Sequence, residues 1–299
     1  MEELNEKSHY KRIQNVLIIV LLLNWAVAAA KFIYGNLSHC VSMSADGLHS
    51  FSDGTSNIVG LIGIFLAYQP KDKEHPYGHK KYETFFSLGI AALLLLVSFE
   101  LVQQGLQRFS KPLVPTIDIG NFIVMAATLL INILVMRYEL KCGRELKSDI
   151  LVSDSMHTKA DTLTSLSVIV TLAAIKLGAS SVLDPIVTIM IALFIAREAF
   201  EIARQSSRVL CDEAAILDDK RISDIVLGVK GVRTCHKIRS RGRPDDIYID
   251  LHVQVAPDMH VNKAHAISYA IEEAIKKNIP EVTDVVVHVE PKEKTPPEP

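Results

Sequence analysis

Two short patterns in this chain carry the residue types of a transition-metal site. His49 and Asp53 are four residues apart, and so are His157 and Asp161. On a helix, residues four apart share a face. Each pair therefore presents an imidazole nitrogen and a carboxylate oxygen together. Two such helices supply two nitrogens and two oxygens, the ligand count of tetrahedral Zn²⁺, with two carboxylates to balance its charge. Both pairs lie in largely apolar stretches, with Asp46, Asp154 and Lys159 close by in sequence. A central Asp in a membrane span costs about 2.5–3.5 kcal/mol on insertion scales, so these groups need a compensating partner. A polar network of Asp, His and Ser/Thr between helices is the competing reading. Repetition of the spacing favours the metal.

A second set lies between apolar stretches, in Pro70-Lys-Asp72-Lys-Glu-His75-Pro-Tyr-Gly-His79. Asp72, His75 and His79 form a more exposed candidate metal site, with Glu74 able to join or compete. Pro76 and Gly78 turn the backbone so that the three can converge.

The elements that must position these residues are long helices. Of 299 residues, 49% are hydrophobic and 22% charged, which fits a membrane domain joined to a soluble one. Six stretches reach bilayer length, about 20 residues: 13–34, 42–67, 82–107, 117–138, 149–177 and 182–204. The basic start and Ala28-Ala29-Ala30 mimic a signal peptide, but the apolar character runs on past them, so a first span is the better reading. Arg137–Lys147 reads as a charged link between the fourth and fifth spans. Asp184-Pro185 reads as the start signal of the sixth. Lys and Arg concentrate in 1–12, 68–81 and 137–148, whereas the other side carries Lys31, Arg108, Lys111 and Lys176. The positive-inside rule places both termini in the cytoplasm. A net charge of −2 gives no basic field for nucleic acid. The four cysteines form no paired spacing, which fits a reducing compartment.

From about 208 the pattern changes to a small α+β domain. Helices are expected over 214–227 and 261–277, strands over 231–240, 247–255 and 282–290, and a turn over 241–246. In the second strand Ile247, Ile249, Leu251, Val253 and Val255 alternate with polar residues. His252 therefore faces away from the helices. His288 and Glu290 share a face of the last strand. With His236 on the first strand, these four can meet on the open face of the sheet. His265, on the second helix, is a further candidate ligand. The expected organisation is an N-terminal segment 1–12, a six-helix domain 13–207, a cytoplasmic domain 208–291 and a disordered tail 292–299. No H-E-x-x-H, G-x-x-x-x-G-K-[ST] or G-x-S-x-G occurs, so neither a metalloprotease nor an ATP-driven pump has support.

Taken together, the six spans, the two His-x-x-x-Asp pairs, His75-Pro-Tyr-Gly-His79-Lys-Lys-Tyr-Glu83 and Leu183-Asp184-Pro185-Ile186 resemble the cation diffusion facilitators, divalent-metal/proton antiporters. The resemblance spans nearly the whole chain. It implies a homodimer with a metallochaperone-like αββαβ cytoplasmic domain, and transport through His49, Asp53, His157 and Asp161. It matches Asp72, His75 and His79 to a loop site, and His236, His252, His265 and His288 to cytoplasmic metal positions. Glu290 stands where Asp is more usual. Lys81 and Asp212 match a charge interlock between the dimer halves. The link 137–147 carries no histidine, unlike that of many zinc members. The expectation is a non-enzymatic exporter with no prosthetic group, working in a bacterial inner membrane. It exchanges Zn²⁺, or else Fe²⁺, Mn²⁺, Co²⁺ or Cd²⁺, for protons. A non-transporting metal sensor or scaffold is the alternative from another class. An intramembrane hydrolase would need a general base beside an open metal position. Glu100, in the third span, has no metal motif beside it.

Overall fold

A computed structural model describes residues 2–37, 41–110, 119–176, 182–216 and 218–292. The chain divides into two compact units, Met1–Ser207 and Arg208–Pro299.

The first unit is built from six long helices: α1 (Glu2–Leu37), α2 (Val41–Ala67), α3 (Lys81–Ser110), α4 (Ile119–Glu145), α5 (Asp149–Lys176) and α6 (Leu183–Leu210). Ser8–Tyr34, Lys81–Gln107 and Phe122–Glu145 are long and apolar enough to cross a membrane by composition alone. The polar residues of α2 and α5 include the ones singled out above, and they lower the hydropathy of those helices. Large apolar side chains nevertheless point outward around the unit. Leu22, Phe65, Leu96, Phe99, Leu134, Met190, Leu193 and Phe200 are all more than half exposed. A water-soluble surface rarely exposes so many large apolar side chains, whereas lipid favours them.

Two apolar clusters hold the bundle. One joins Ile13, Val16, Leu17 and Val20 of α1 to Ile64, Ile90, Val135, Ile150 and Leu151. The other joins Ala91, Leu94 and Leu101 of α3 to Ala160 of α5 and Ala192, Ile195 and Ala199 of α6. Gly63 allows α2 to approach its neighbours closely, since a Cβ there would lie 2.6 Å from Phe86 Cβ and 2.7 Å from Ile150 Cδ1.

Helix ends differ from the sequence reading. Residues 2–12, expected as a segment before the first span, are helical and continuous with α1. The charged link expected over 137–147 is mostly helix. The fourth helix runs on through Glu145, leaving only Leu146–Ser148 before α5. Helices that emerge into water keep their backbone bonds while their side chains turn polar, so hydropathy marks the membrane boundary rather than the helix end. Lys31 was counted with the outer loops. It is 4% exposed, within α1, and donates to Ser50 Oγ at 3.4 Å.

The second unit is a three-stranded sheet with two helices: α7 (Asp219–Leu227), β1 (Thr234–Arg243), β2 (Asp246–Val255), α8 (Val261–Asn278) and β3 (Val282–Pro291). The strand order is β1-β2-β3, antiparallel between β1 and β2 and parallel between β2 and β3. The α7 helix starts at Asp219 rather than 214, where the Asp218 side chain caps the Arg221 N–H. The hairpin turn is only Pro244-Asp245, shorter than the expected 241–246. Gly242, at φ +112°, lets the strands close. A Cβ there would fall 2.2 Å from the Asp246 carbonyl oxygen.

Ile249, Leu251 and Val253 of β2 pack with Ile222, Val226, Ile271 and Ile275 of the helices. The register of β1 against β2 shifts between His236 and Arg239. His236 pairs with His252, and Arg239 with Asp250. The extra residue is absorbed with Lys237 at φ +50°. Cys235 and Ile238, on either side of it, both pack on the apolar core.

Candidate metal sites

Antiparallel contact between α2 and α5 sets the membrane site. Near the start of α5, Ile150 lies against Gly60 and Gly63 of α2. Further along α5, Asp154 accepts a hydrogen bond from the Asn57 side-chain amide of α2. At 1.5 Å rise per residue, moving outward from that clasp brings residue 53 of α2 level with residue 157 of α5. The next turn brings 49 level with 161. His157 is buried and Asp161 half-buried. The side chains of His49 and Asp53 lie outside the described residues. Asp161 lines a cavity of ≈ 60 Å³ together with Asn24, Lys31, Ser50, Glu100 and Asn132. Thus α1, α2, α3, α4 and α5 all contribute polar groups to one space inside an apolar bundle.

The loop residues Asp72, His75 and His79 converge, each offering a ligand atom within 4.8 Å of the others. Asp72 Oδ1 accepts from the Glu74 N–H at 2.9 Å and the His75 N–H at 2.6 Å, and lies 3.1 Å from His75 Nδ1. Oδ2 lies 3.4 Å from His79 Nε2. The His75 N–H bond leads the effects that hold the Asp72 carboxyl below its usual range. The rings of His75 and His79 are 4.2 Å apart, and His79 stacks on Tyr82. His79 is only 8% exposed, and its Nδ1 is buried with no hydrogen-bond partner among the described residues. The other ring nitrogen, Nε2, is the one that faces Asp72, and it suits a cation held by one oxygen and two nitrogens. Glu74 contributes its N–H and is not part of the converging set.

In the second unit His236, His252 and Glu290 converge in the same way. Glu290 Oε1 lies 2.7 Å from His252 Nδ1, and Oε2 lies 3.3 Å from His236 Nε2. The His252 hydrogen bond is the leading cause that lowers the Glu290 pKa. His288 is adjacent, with Nε2 3.6 Å from Glu290 Oε1 and its ring 4.5 Å from that of His252. His265 is not brought to this cluster within one chain. It is exposed on α8, with its ring edge-on to Tyr269. Lys81 opens α3 in the first unit, and Asp212 follows α6 at φ +56° in the second.

Residues 17–211 match the cation efflux transmembrane domain, and residues 217–292 match the cation efflux protein cytoplasmic domain. The chain belongs to the cation efflux family. Its relatives are transporters, and this cation efflux protein is an integral membrane protein. It is 29% identical over 284 residues to an uncharacterized transporter of Methanocaldococcus jannaschii, covering 94% of this chain and 99% of that one. It is 30% identical over 281 residues to metal tolerance protein C1 of Arabidopsis thaliana, covering 89% of this chain and 59% of the plant protein. It is 26% identical over 267 residues to the manganese efflux system protein MneS of Bacillus subtilis, covering 89% of this chain and 91% of MneS.

The sequence reading missed Glu139, because the charges around it read as a loop. It is 0% exposed on α4, and Thr158 of α5 donates to it. The signal that identifies it is its place on the buried face of a helix that continues past the apolar run.

Proposed function

We propose that this cation efflux protein exports a divalent transition metal from the cytoplasm in exchange for protons, binding it through His49, Asp53, His157 and Asp161. The observation that supports this reading is the Asn57–Asp154 hydrogen bond between α2 and α5, from which the helical rise brings positions 53 and 49 of α2 level with 157 and 161 of α5. Two imidazoles and two carboxylates suit Zn²⁺. Mn²⁺ is the second reading, favoured by the similarity to MneS and by the oxygen donors lining the neighbouring cavity. Protons compete with the metal for the same nitrogen and oxygen lone pairs, so loading releases protons and unloading takes them up. Rocking of helices about this site gives alternating access.

In this reading the protein is a homodimer in a bacterial inner membrane with both termini cytoplasmic. Its membrane domain is 13–207 and its regulatory domain 208–291. The loop trio and the His236, His252, His288 and Glu290 cluster take up cytoplasmic metal, His265 contributes from α8, and Lys81 and Asp212 interlock the dimer halves.

The test is flux of Zn²⁺ and Mn²⁺ into proteoliposomes under an imposed pH gradient. Transport should follow the gradient and vanish in Asp161→Ala while the protein stays folded. Equal flux in Asp161→Ala, or none in the unaltered protein, would overturn the reading. The second outcome would favour a metal sensor.

A further inference from the structure

The inner half of the bundle holds two carboxyl groups that the proposed transport site does not use. Glu139 of α4 and Asp154 of α5 are 0% and 1% exposed, and Thr158 Oγ1 lies 3.4 Å from both Glu139 Oε2 and the Asp154 carbonyl oxygen. Asp154 Oδ2 accepts from the Asn57 amide, whose Oδ1 accepts in turn from Asn24 Nδ2 at 3.1 Å. Glu139 Oε2 accepts from Thr158 Oγ1 at 3.4 Å. One oxygen on each remains, Glu139 Oε1 and Asp154 Oδ1, buried with no donor among the described residues. Two ionised carboxylates are both acceptors, so neither satisfies the other, and their charges repel. One proton between them satisfies both. Among the described residues neither carboxyl is paired with a lysine or arginine. The groups facing Glu139 are Asp154 and Thr158 from α5 and the Cys142 thiol on α4 itself. Beyond Asp154 lie the Asn57 amide of α2 and the Asn24 amide of α1, and His157 follows one turn along α5.

We propose that Glu139 and Asp154 share one proton and that this proton is among those exchanged for the metal. Asn24 lines the cavity that also contains Asp161, so the amide chain Asn24–Asn57–Asp154 ties the pair to the cavity wall. A dication arriving near His157 and Asp161 repels the shared proton. The O–H bond breaks, water takes the proton, and the pair becomes dianionic beside the new charge. When the dication leaves, two uncompensated carboxylates recapture a proton from water. The inference rests on reading His157 and Asp161 as cation ligands.

The experiment uses the full chain with the loop and sheet sites removed by His75→Ala, His79→Ala, His236→Ala, His252→Ala and His288→Ala. Zn²⁺ is titrated in weak buffer with a pH indicator. Glu139→Gln keeps the shape and can donate to Asp154. It should bind Zn²⁺ while releasing about one proton fewer per chain than its parent. Equal release from both would overturn the proposal. Should the variant not fold, difference infrared spectroscopy of the parent decides. Zn²⁺ should abolish a protonated-carboxyl C=O band, and a spectrum with no such loss would overturn the proposal. Zn²⁺ stoichiometry unchanged in Asp161→Ala would instead overturn the transport-site reading, so the two failures are distinguishable.

Discussion

Glu83 ties the start of α3, just after the Asp72–His79 loop, to the start of α5, and replacing it by Ala should loosen one from the other. It lies in the first turn of α3, 2% exposed. Its Oε1 accepts from Ser148 Oγ at 2.6 Å and from the Ile150 N–H at 3.4 Å, both at the start of α5. Ser148 and Ile150 are themselves buried, at 1% and 0% exposed. The first N–H groups of a helix have no partner within it, and a carboxylate there is also favoured by the helix dipole. Glu83→Ala leaves a hydroxyl and an amide buried without that acceptor. Each such loss costs about 1–3 kcal/mol, the short bond toward the upper end and the long one toward the lower. The sum is about 3 kcal/mol, on the order of a 100-fold rise in the open population of the first turn of α5. Amide hydrogen exchange read by mass spectrometry on the full chain measures this directly. Peptides over 149–156 should exchange on the order of 100-fold faster, while those over 219–227 in α7 stay unchanged. Glu83→Gln keeps one acceptor and should show a smaller effect. Unchanged exchange at the start of α5 in Glu83→Ala would refute the reasoning.

Three further outcomes are expected. Asp72→Asn removes the charge that faces His75 and His79, and Zn²⁺ affinity at the loop should fall at least about 10-fold, read by calorimetry with the sheet site removed. The Glu290 carboxyl is held below its ordinary value of 4.5, first by the His252 hydrogen bond. Its stabilising contribution is therefore complete above that value and is lost as pH falls through the lowered one. The difference in thermal stability between wild type and Glu290→Gln should thus be constant near neutrality and shrink in acid; a difference independent of pH would count against the pairing. Gly242→Ala places a Cβ against the Asp246 carbonyl at positive φ and should destabilise the hairpin by more than about 1 kcal/mol, visible as a lower unfolding midpoint of the second unit.

Much of the site was legible because it depends on periodicity. Residues 49/53 and 157/161 share helix faces by spacing alone, and His252 and His288 fall opposite the apolar set of their strands. The trio Asp72, His75 and His79 was readable because Pro76 and Gly78 announce a turn. What escaped depends on neighbours distant in sequence. Glu139 and Lys31 looked like solvent-facing charges, since burial comes from other helices packing over them. His265 was readable by residue type alone, and α8 carries it away from the open face of its own sheet, so any part it takes in metal binding is separate from the sheet cluster of its own chain. The clasp of Asn57 on Asp154 spans 97 positions, and no local pattern announces it.

The displaced register in β1 bears on how this chain could keep a binding site through changes of strand length during descent. Strand residues alternate faces, so pairing continued evenly from Arg239–Asp250 would set Lys237 opposite His252 and turn His236 toward the apolar side. Leaving one residue of this segment out of the pairing restores His236 to the row it shares with His252 and His288. A deletion of one codon at 237 or 238 would therefore leave His236 opposite His252 in an unbulged strand, with the remaining residue opposite Leu251. In this strand the cluster tolerates the gain or loss of one residue between His236 and Arg239, and comparisons that count residues instead of following the register would misjudge which relatives retain it.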